Sequence, residues 1–337
     1  MAASLTNPTY SVYLVDGNTK YNLTPAVIEI HPSSQDRQVA QSVTITVANI
    51  KASDGKTLAQ LIKVRQRVFV YANDGTTNGE VFRGFVWTRY PEDSLDSSTI
   101  QIKCYDNLIY LQQSEDAFYF AKGKNTKSVM SSICKKWGIS LNYKYSTITH
   151  GKLVLRGTLT NLFMTDILDK VKKRKGTKYV ILSIKDVMNV LPVGSNSTIY
   201  SITKKNNAIV TRSTETMEEM VTKVKILGQA SKNSKKLPVK ATVKGNTSKY
   251  GTLQKLQDKN KDTSLANAKK EAKATIKEHG KPKKEYQVEA IDIPWIKKGD
   301  TVKVNAGHIS NKNLIVMGIE RTITNQKKSM TLTLEEP

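Results

Sequence analysis

The sequence predicts an α+β fold, mostly β: two small β-barrel or sandwich domains, 1–115 and 197–337, with an α/β domain, 116–196, inserted between them. Three observations predict it. Period-two alternation dominates the first and last thirds, the hydrophobic period becomes helical in the middle, and the terminal thirds share an order of elements. A chain of 337 residues accommodates two or three domains of ~100–200 residues each.

The first third reads as strands. Ser11 to Val15 alternates and ends in Asp16-Gly17, a turn signal. Ala26 to Ile30 is a second strand, ended by His31-Pro32, and Val43 to Val47 alternates β-branched residues throughout. Thr57 to Lys63 forms two helical turns with Asp54 or Ser53 near the start. Val68 to Tyr71, a turn from Asn73 to Gly79, Val81 to Trp87 and Thr99 to Cys104 complete the unit.

In the middle, Val129, Ile133 and Trp137 share one helical face and Gly138 stops the helix. A second helix, Asn161 to Lys173, presents Leu162, Phe163, Ile167 and Val171 and ends at Gly176. Short strands lie at Ile139 to Tyr145, Leu153 to Leu155 and Tyr179 to Ile184, and Gly194 to Ser197 is a linker. The last third returns to strands at Val221 to Leu227, Thr301 to Val304, Leu314 to Ile319 and Met330 to Leu334. A helix from about Thr263 to Glu278 interrupts them, capped by Asp262 or Thr263 and stopped by Gly280 and Pro282.

The formal net charge is +24, but its position matters more than its size. Acids and bases balance from Met1 to Tyr110, whereas Lys223 to Lys284 sets 18 Lys against Asp258, Asp262, Glu271 and Glu278. A Lys-rich insertion, 229–262, lies within this stretch. Clustered Lys can neutralise phosphates, yet only Tyr250 and Tyr286 interleave, and Lys in place of Arg disfavours base readout and stacking. A solvated face, or one that docks acidic partner proteins, fits better than specific nucleic-acid binding. Cys104 and Cys134 form no CxxC and imply a reduced, cytoplasmic birthplace. The N-terminus has no signal-peptide pattern, and no run reaches the ~20 apolar residues of a membrane span.

An ungapped offset aligns Val68 with Val302, Val70 with Val304, Ala72 with Ala306, Phe82 with Val316, Gly84 with Gly318 and Phe85 with Ile319. Thr99 to Cys104 matches Met330 to Leu334 only after a gap. Alternation alone aligns any two hairpins, so the discriminating features are a helix before the matched strands and a strand glycine in both units. A glycine inside a strand weakens it unless a bulge or close approach requires it.

These residues resemble the hub proteins of contractile phage tails, of the XkdQ/YqbQ type. The resemblance rests on VFRGFVW (Val81 to Trp87), IQIKCYD (Ile100 to Asp106), SKYGTLQ (Ser248 to Gln254), IPWIKKGDTVKV (Ile293 to Val304) and LIVMGIERTI (Leu314 to Ile323), in that order. It implies two domains of the tail-tube fold in one chain and a homotrimeric ring. The implied partners are a tail tube protein, a central spike protein, baseplate wedge and LysM-type tail proteins, and a tape measure protein. A tube is six-fold and a spike three-fold; a trimer of duplicated chains meets both. Such a particle is assembled in the bacterial cytoplasm and released on lysis.

No enzymatic chemistry, cofactor or metal site is expected. Ala121 to Asn125 fails the phosphate-loop pattern, and His31, His150, His279 and His308 are scattered. The acid pairs Glu115/Asp116, Glu218/Glu219 and Asp292/Asp300 are candidates for glycan hydrolysis. Adjacent acids on a strand point to opposite faces, however, and Asp300 after Gly299 is a turn residue. No nucleophile elbow is present. The positions expected to matter are structural: Gly84, Gly299, Asp300 and Gly318. A basic nucleic-acid-binding protein and a tail-associated peptidoglycan hydrolase are the alternatives to a hub.

Overall fold

The computed structural model describes residues 7–52, 54–145, 147–229, 237–259 and 263–337. The first unit contains β1 (Thr9–Asp16), β2 (Thr19–Asn22), β3 (Val27–Ser34), β4 (Ser42–Ala48), α1 (Leu58–Leu61), β5 (Arg67–Asn73), β6 (Asn78–Asp93) and β7 (Ser98–Tyr105). Alternation carries Val43, Ile45 and Val47 of β4 and Ile100, Ile102 and Cys104 of β7 into one core. The helix α1 is one turn rather than two. It is capped by Thr57 instead of Asp54, and Gln60 Oε1 accepts from Thr57 N at 3.0 Å; Ser53 lies outside the described residues.

A turn of helix, α2 (Ile109–Gln112), leads into β8 (Glu115–Phe120), α3 (Thr126–Lys136), β9 (Ser140–Asn142), β10 (Leu153–Thr158), α4 (Leu159–Asn161), α5 (Asp169–Lys175), β11 (Tyr179–Ile184) and β12 (Val187–Pro192). Val129, Ile133, Phe163, Ile167 and Val171 meet in a separate core, as their helical spacing requires. The second helix differs from the expected one. It begins after Thr158, which caps it, and Leu162–Leu168 between α4 and α5 is a π-helix. Gly176 ends it at φ +82°.

The remaining elements are β13 (Tyr200–Thr203), β14 (Ala208–Thr216), β15 (Lys223–Leu227), β16 (Val239–Lys244), α6 (Thr247–Tyr250), β17 (Gln254–Asp258), α7 (Leu265–His279), β18 (Lys283–Ile291), β19 (Thr301–Ala306), β20 (Ile309–Thr324) and β21 (Lys328–Glu335). The cap of α7 is Ser264, whose side chain accepts from Asn267 N at 3.1 Å; Thr263 does not cap it and Asp262 lies outside the described residues. Ala268 and Ala272 of α7 pack on Val224 and Ile226 of β15, so β15, β16, β17 and α7 form a small layer with its own core. In the Lys-rich insertion, 230–236 and 260–262 lie outside the described residues. Among the described residues, no helix is long and apolar enough to cross a membrane.

Two copies of one strand order emerge. The first unit runs β3-β4-β7-β6-β5-β1, and the second β14-β18-β21-β20-β19-β13. Irregularities recur at matching places. The β3–β4 ladder skips Ile28 and the β14–β18 ladder skips Ile209. Likewise β6–β7 skips Trp87 and β20–β21 skips Met317. The turn before β5 is also copied: Arg65 N donates to Val86 O at 2.7 Å, and Gly299 N to Val316 O at 2.7 Å.

The copy corrects two expectations. The helix α7 belongs to the small layer and is not the counterpart of α1. The ungapped offset also fails after the first hairpin: Val68 faces Gly84, but Val302 faces Leu314. The β19–β20 turn is shorter than the β5–β6 turn, so Gly318 takes the place of Thr88, not Gly84. One difference in direction remains, since β1 is antiparallel to β5 and β13 parallel to β19. The two units do not close as separate barrels. Their strands form one open thirteen-stranded sheet, joined where β20 pairs with β3.

Candidate assembly interface

The joint between the units is an antiparallel ladder with a gap. Ile319 pairs with Ser34 and Glu320 with Ser33; pairing resumes at Ile323 with Ile30 and Thr324 with Glu29. Arg321 and Thr322 stand opposite Pro32 and His31 in the gap. This explains why β3 passes through His31-Pro32 rather than stopping there: a residue without an N–H is tolerated where the ladder lacks a bond.

Freed from the ladder, Arg321 organises a buried polar cluster. Its Nε donates to Asp292 Oδ1 at 2.8 Å, and its Nη2 donates to Ile296 O at 2.7 Å and Ile293 O at 3.2 Å. The side chains of Arg321 and Asp292 are 7% and 0% exposed. The Tyr10 hydroxyl of β1 donates to the other Asp292 oxygen. Burial, with Asp292 beside it, holds that phenol protonated far above its ordinary range. The three residues come from both units and tie them together.

Further contacts cross the same joint. Trp295 Nε1 donates to Asp74 Oδ2 at 2.6 Å. Burial opposes ionisation of Asp74, but the Trp295 indole and the Thr76 and Thr77 donors outweigh it and hold the carboxyl well below its usual range. Lys298 Nζ donates to Gln35 O at 3.0 Å and Gln38 O at 2.5 Å. A cavity of about 150 Å³ lies at the joint, lined by Tyr10, Asp106, Pro294, Lys298 and Arg321 among others. Burial pushes Asp106 up to about 7 and Lys298 down to about 8.

Of the expected positions, Gly84 and Gly299 each meet a steric demand. A Cβ on Gly84 would stand 2.2 Å from Tyr105 O. Gly299 adopts φ +92°, and its Cβ would lie 2.5 Å from Val180 Cγ2 of β11. Asp300 Oδ2 accepts from Lys297 N at 2.8 Å within the turn, as Gln66 Oε1 accepts from Lys63 N at 2.7 Å in the first unit. A Cβ on Gly318 would meet only the Gln35 amide oxygen at 3.0 Å and ordinary contacts beyond. Sequence reasoning missed Tyr10, Pro32, Lys298 and Arg321. Arg321 carried one signal: a charged residue inside the apolar run LIVMGIERTI.

The acid pairs do not converge. Asp292 is engaged by Arg321, and Asp300 caps its turn. Glu115 and Asp116 alternate across β8, and Glu218 and Glu219 stand exposed in a turn. His150 is buried against Thr126 Oγ1 at 3.0 Å, and burial lowers its pKa to about 4. His31 Nε2 lies 2.7 Å from Glu29. Among the described residues, no group of three or more His, Cys, Asp or Glu could hold a metal.

A model of the YQBQ-like family matches residues 32–335, which takes in the first unit from Pro32 onward, the second unit and everything between them. The chain belongs to the YQBQ-like family. Two solved tail proteins share the fold of this YQBQ-like chain along nearly their full lengths. A tail protein from Neisseria meningitidis MC58 superposes with TM-score 0.70 at 14% identity, covering 97% of this chain and 96% of its own. The 43 kDa tail protein of prophage MuSo2 from Shewanella oneidensis gives 0.68 at 16% identity, covering 98% and 99%. The E. coli c3393 protein, described as a type VI secretion component similar to the T4 tail proteins gp27 and gp5, gives 0.60 at 9% identity, covering 97% and 76%. No curated protein matches the chain by sequence.

Proposed function

We propose that this YQBQ-like protein is the structural hub of the baseplate of a contractile tail or tail-like bacteriocin. In this reading three copies form a pseudo-six-fold ring that joins the six-fold tail tube to the three-fold spike. The observation that carries it is the duplicated strand order with its matched irregularities, since a trimer of such chains offers six similar units. The fold shared with tail proteins of two bacteria supports a place in such a particle, and the likeness of the E. coli c3393 protein to gp27 and gp5 supports a position in a tail assembly.

The role is structural rather than enzymatic. The buried charges at the joint are spent on holding the two units together, not on a substrate. Residues 1–115 and 197–337 supply the ring units, 116–196 the inserted domain, and Gly84, Gly299, Asp300 and Gly318 act as strand and turn positions. Tube, spike, wedge and LysM-type proteins are the partners, with the protein released as part of the particle.

Cryo-EM of purified particles tests this. Three copies at the end of the tube, with the two units superposable around the axis, are expected. Six identical copies, or a location away from the tube end, would refute it.

A further inference from the structure

The chain carries its own template for the contact that closes a ring. In the internal joint, the C-terminal half of β20 pairs with β3. The counterpart of β20 is β6, and the counterpart of β3 is β14, fixed by the shared irregularities at Trp87 and Met317 and at Ile28 and Ile209. Both counterparts are unpaired where the joint would form. Among the described residues, the strand β14 pairs only with β18, and β6 beyond Val86 pairs only with β7. Such edges invite another strand.

We infer that β6 of one copy pairs antiparallel with β14 of a second copy in the register of the internal joint; the number of copies that closes the ring rests on the function proposed above. Transferring the β20–β3 register places Arg89 opposite Glu215, Tyr90 opposite Thr214, Asp93 opposite Thr211 and Ser94 opposite Val210. Pro91 and Glu92 then fall in the gap, facing Ser213 and Arg212.

Four independent features fit this register. Arg89 meets Glu215 and Glu92 lies by Arg212, so both charge pairs are opposite in sign. Pro91 falls in the gap of this ladder as Pro32 falls in the gap of the internal one. The turn after β6 repeats the turn after β20: Ser94 N donates to Ser97 O at 2.8 Å, and Thr324 N to Lys327 O at 2.8 Å. Finally, some of the exposed apolar residues lie at these edges. Val64 holds the place of Lys298, whose ammonium covers the end of β3, and the residues after β14 begin with Met217. Val64 is 53% and Met217 46% exposed, and the transferred geometry brings them together; Tyr90 and Ile209 are exposed on the same two strands. Within this chain, Arg89 Nη2 donates to Ala59 O at 2.6 Å and its Nε is buried without a hydrogen-bond partner, while Glu92 and Glu215 form no ion pair among the described residues.

Paired cysteines test the register. The Tyr90→Cys, Thr214→Cys variant is oxidised mildly, both as purified full-length protein and in assembled particles. A directly opposed pair lies within disulfide reach, whereas Tyr90→Cys with Arg212→Cys is a diagonal pair at roughly 7–8 Å. Covalently closed trimers on non-reducing gels are expected from the first pair, with at least about tenfold less from the second. Arg89→Glu should weaken assembly a few-fold and Glu215→Arg in the same chain should restore it. Particles with three copies but no disulfide from the first pair, or an equal yield from the diagonal pair, would overturn the ladder and leave the ring. Linked copies closing at a number other than three would support the ladder and refute the trimeric hub.

Discussion

Replacing Arg321 with Ala should destabilise the joint more than any surface change. The carboxylate of Asp292, at 0% side-chain exposure, would keep only the Tyr10 hydroxyl, and the carbonyls of Ile293 and Ile296 would lose their donor. Leaving a buried charge unpaired costs about 3–5 kcal/mol. An orphaned buried carbonyl costs about 1–3 kcal/mol, though these losses overlap within one network. We expect a total of roughly 4 kcal/mol, against a typical stability of about 5–15 kcal/mol. For a unit of this size that lowers the thermal midpoint by roughly 8–16 °C. The control is the apolar replacement Tyr10→Phe, Asp292→Leu, Arg321→Met, which removes the three polar side chains and leaves only the Ile293 and Ile296 carbonyls without their donor, so it should cost about 1–3 kcal/mol, less than the single change. Differential scanning calorimetry, with urea unfolding followed through Trp295, reads both. A loss below about 1 kcal/mol for Arg321→Ala, or an apolar triple as damaging as the single change, would refute the reasoning.

Two further outcomes follow from the same geometry. Burial raises Asp106 from 3.8 to about 7, so between those values the folded chain holds a proton that the unfolded chain has released. Stability should therefore fall as pH rises through that window, by up to ~1.4 kcal/mol per pH unit, and Asp106→Asn should remove this slope in urea titrations at several pH values. An unchanged slope in the variant would show that Asp106 is not the source. The two strand glycines should also separate. Gly84→Ala forces a methyl against Tyr105 O and should cost about 1–3 kcal/mol, while Gly318→Ala, facing a movable Gln35 amide, should cost no more than about 0.5 kcal/mol. Equal thermal shifts for the two variants would contradict that assignment.

Much of the fold was legible because alternation is a local signal. Val43 to Val47 and Ile100 to Cys104 announce half-buried strands without help from the rest of the chain, and the i, i+4, i+8 face of Val129, Ile133 and Trp137 announces a helix. Strands with weak alternation were missed. In β14, AIVTRSTET has one face in solvent and no apolar rhythm, and in β8 the exposed and half-buried positions belong to a small two-stranded sheet. The repeat was legible in outline, but its register was not. A change in turn length between Asn73–Asn78 and Ala306–Ile309 moves every later residue, and only hydrogen bonds reveal where the counting resumes. The joint was invisible for a different reason. Tyr10, Asp292 and Arg321 are distant in sequence, and nothing local marks three polar residues as one buried cluster. Pro32 even gave a false signal, because a strand-breaking residue is harmless where the ladder has a gap.

The internal joint and the proposed joint between copies would share a register yet differ in chemistry, and assembly order explains the difference. The internal joint forms within one chain, so its two halves are never separated and it can bury Arg321 against Asp292 without exposing either to a long-lived solvated state. The edges that meet between copies must remain soluble alone until a partner arrives. They accordingly carry Arg89, Pro91, Glu92 and Asp93 on β6, and Arg212 and Glu215 on β14, all side chains that discourage indiscriminate strand pairing. Charge complementarity then favours the correct register over a slipped one. A slip of two residues in either direction would set Arg89 opposite Ser213 or Met217 instead of Glu215, and would separate Glu92 from Arg212. The same slip would carry Pro91 against Thr211 or Glu215, where the register of the internal joint calls for paired residues, so the missing N–H of the proline would act against the slipped ladder as well.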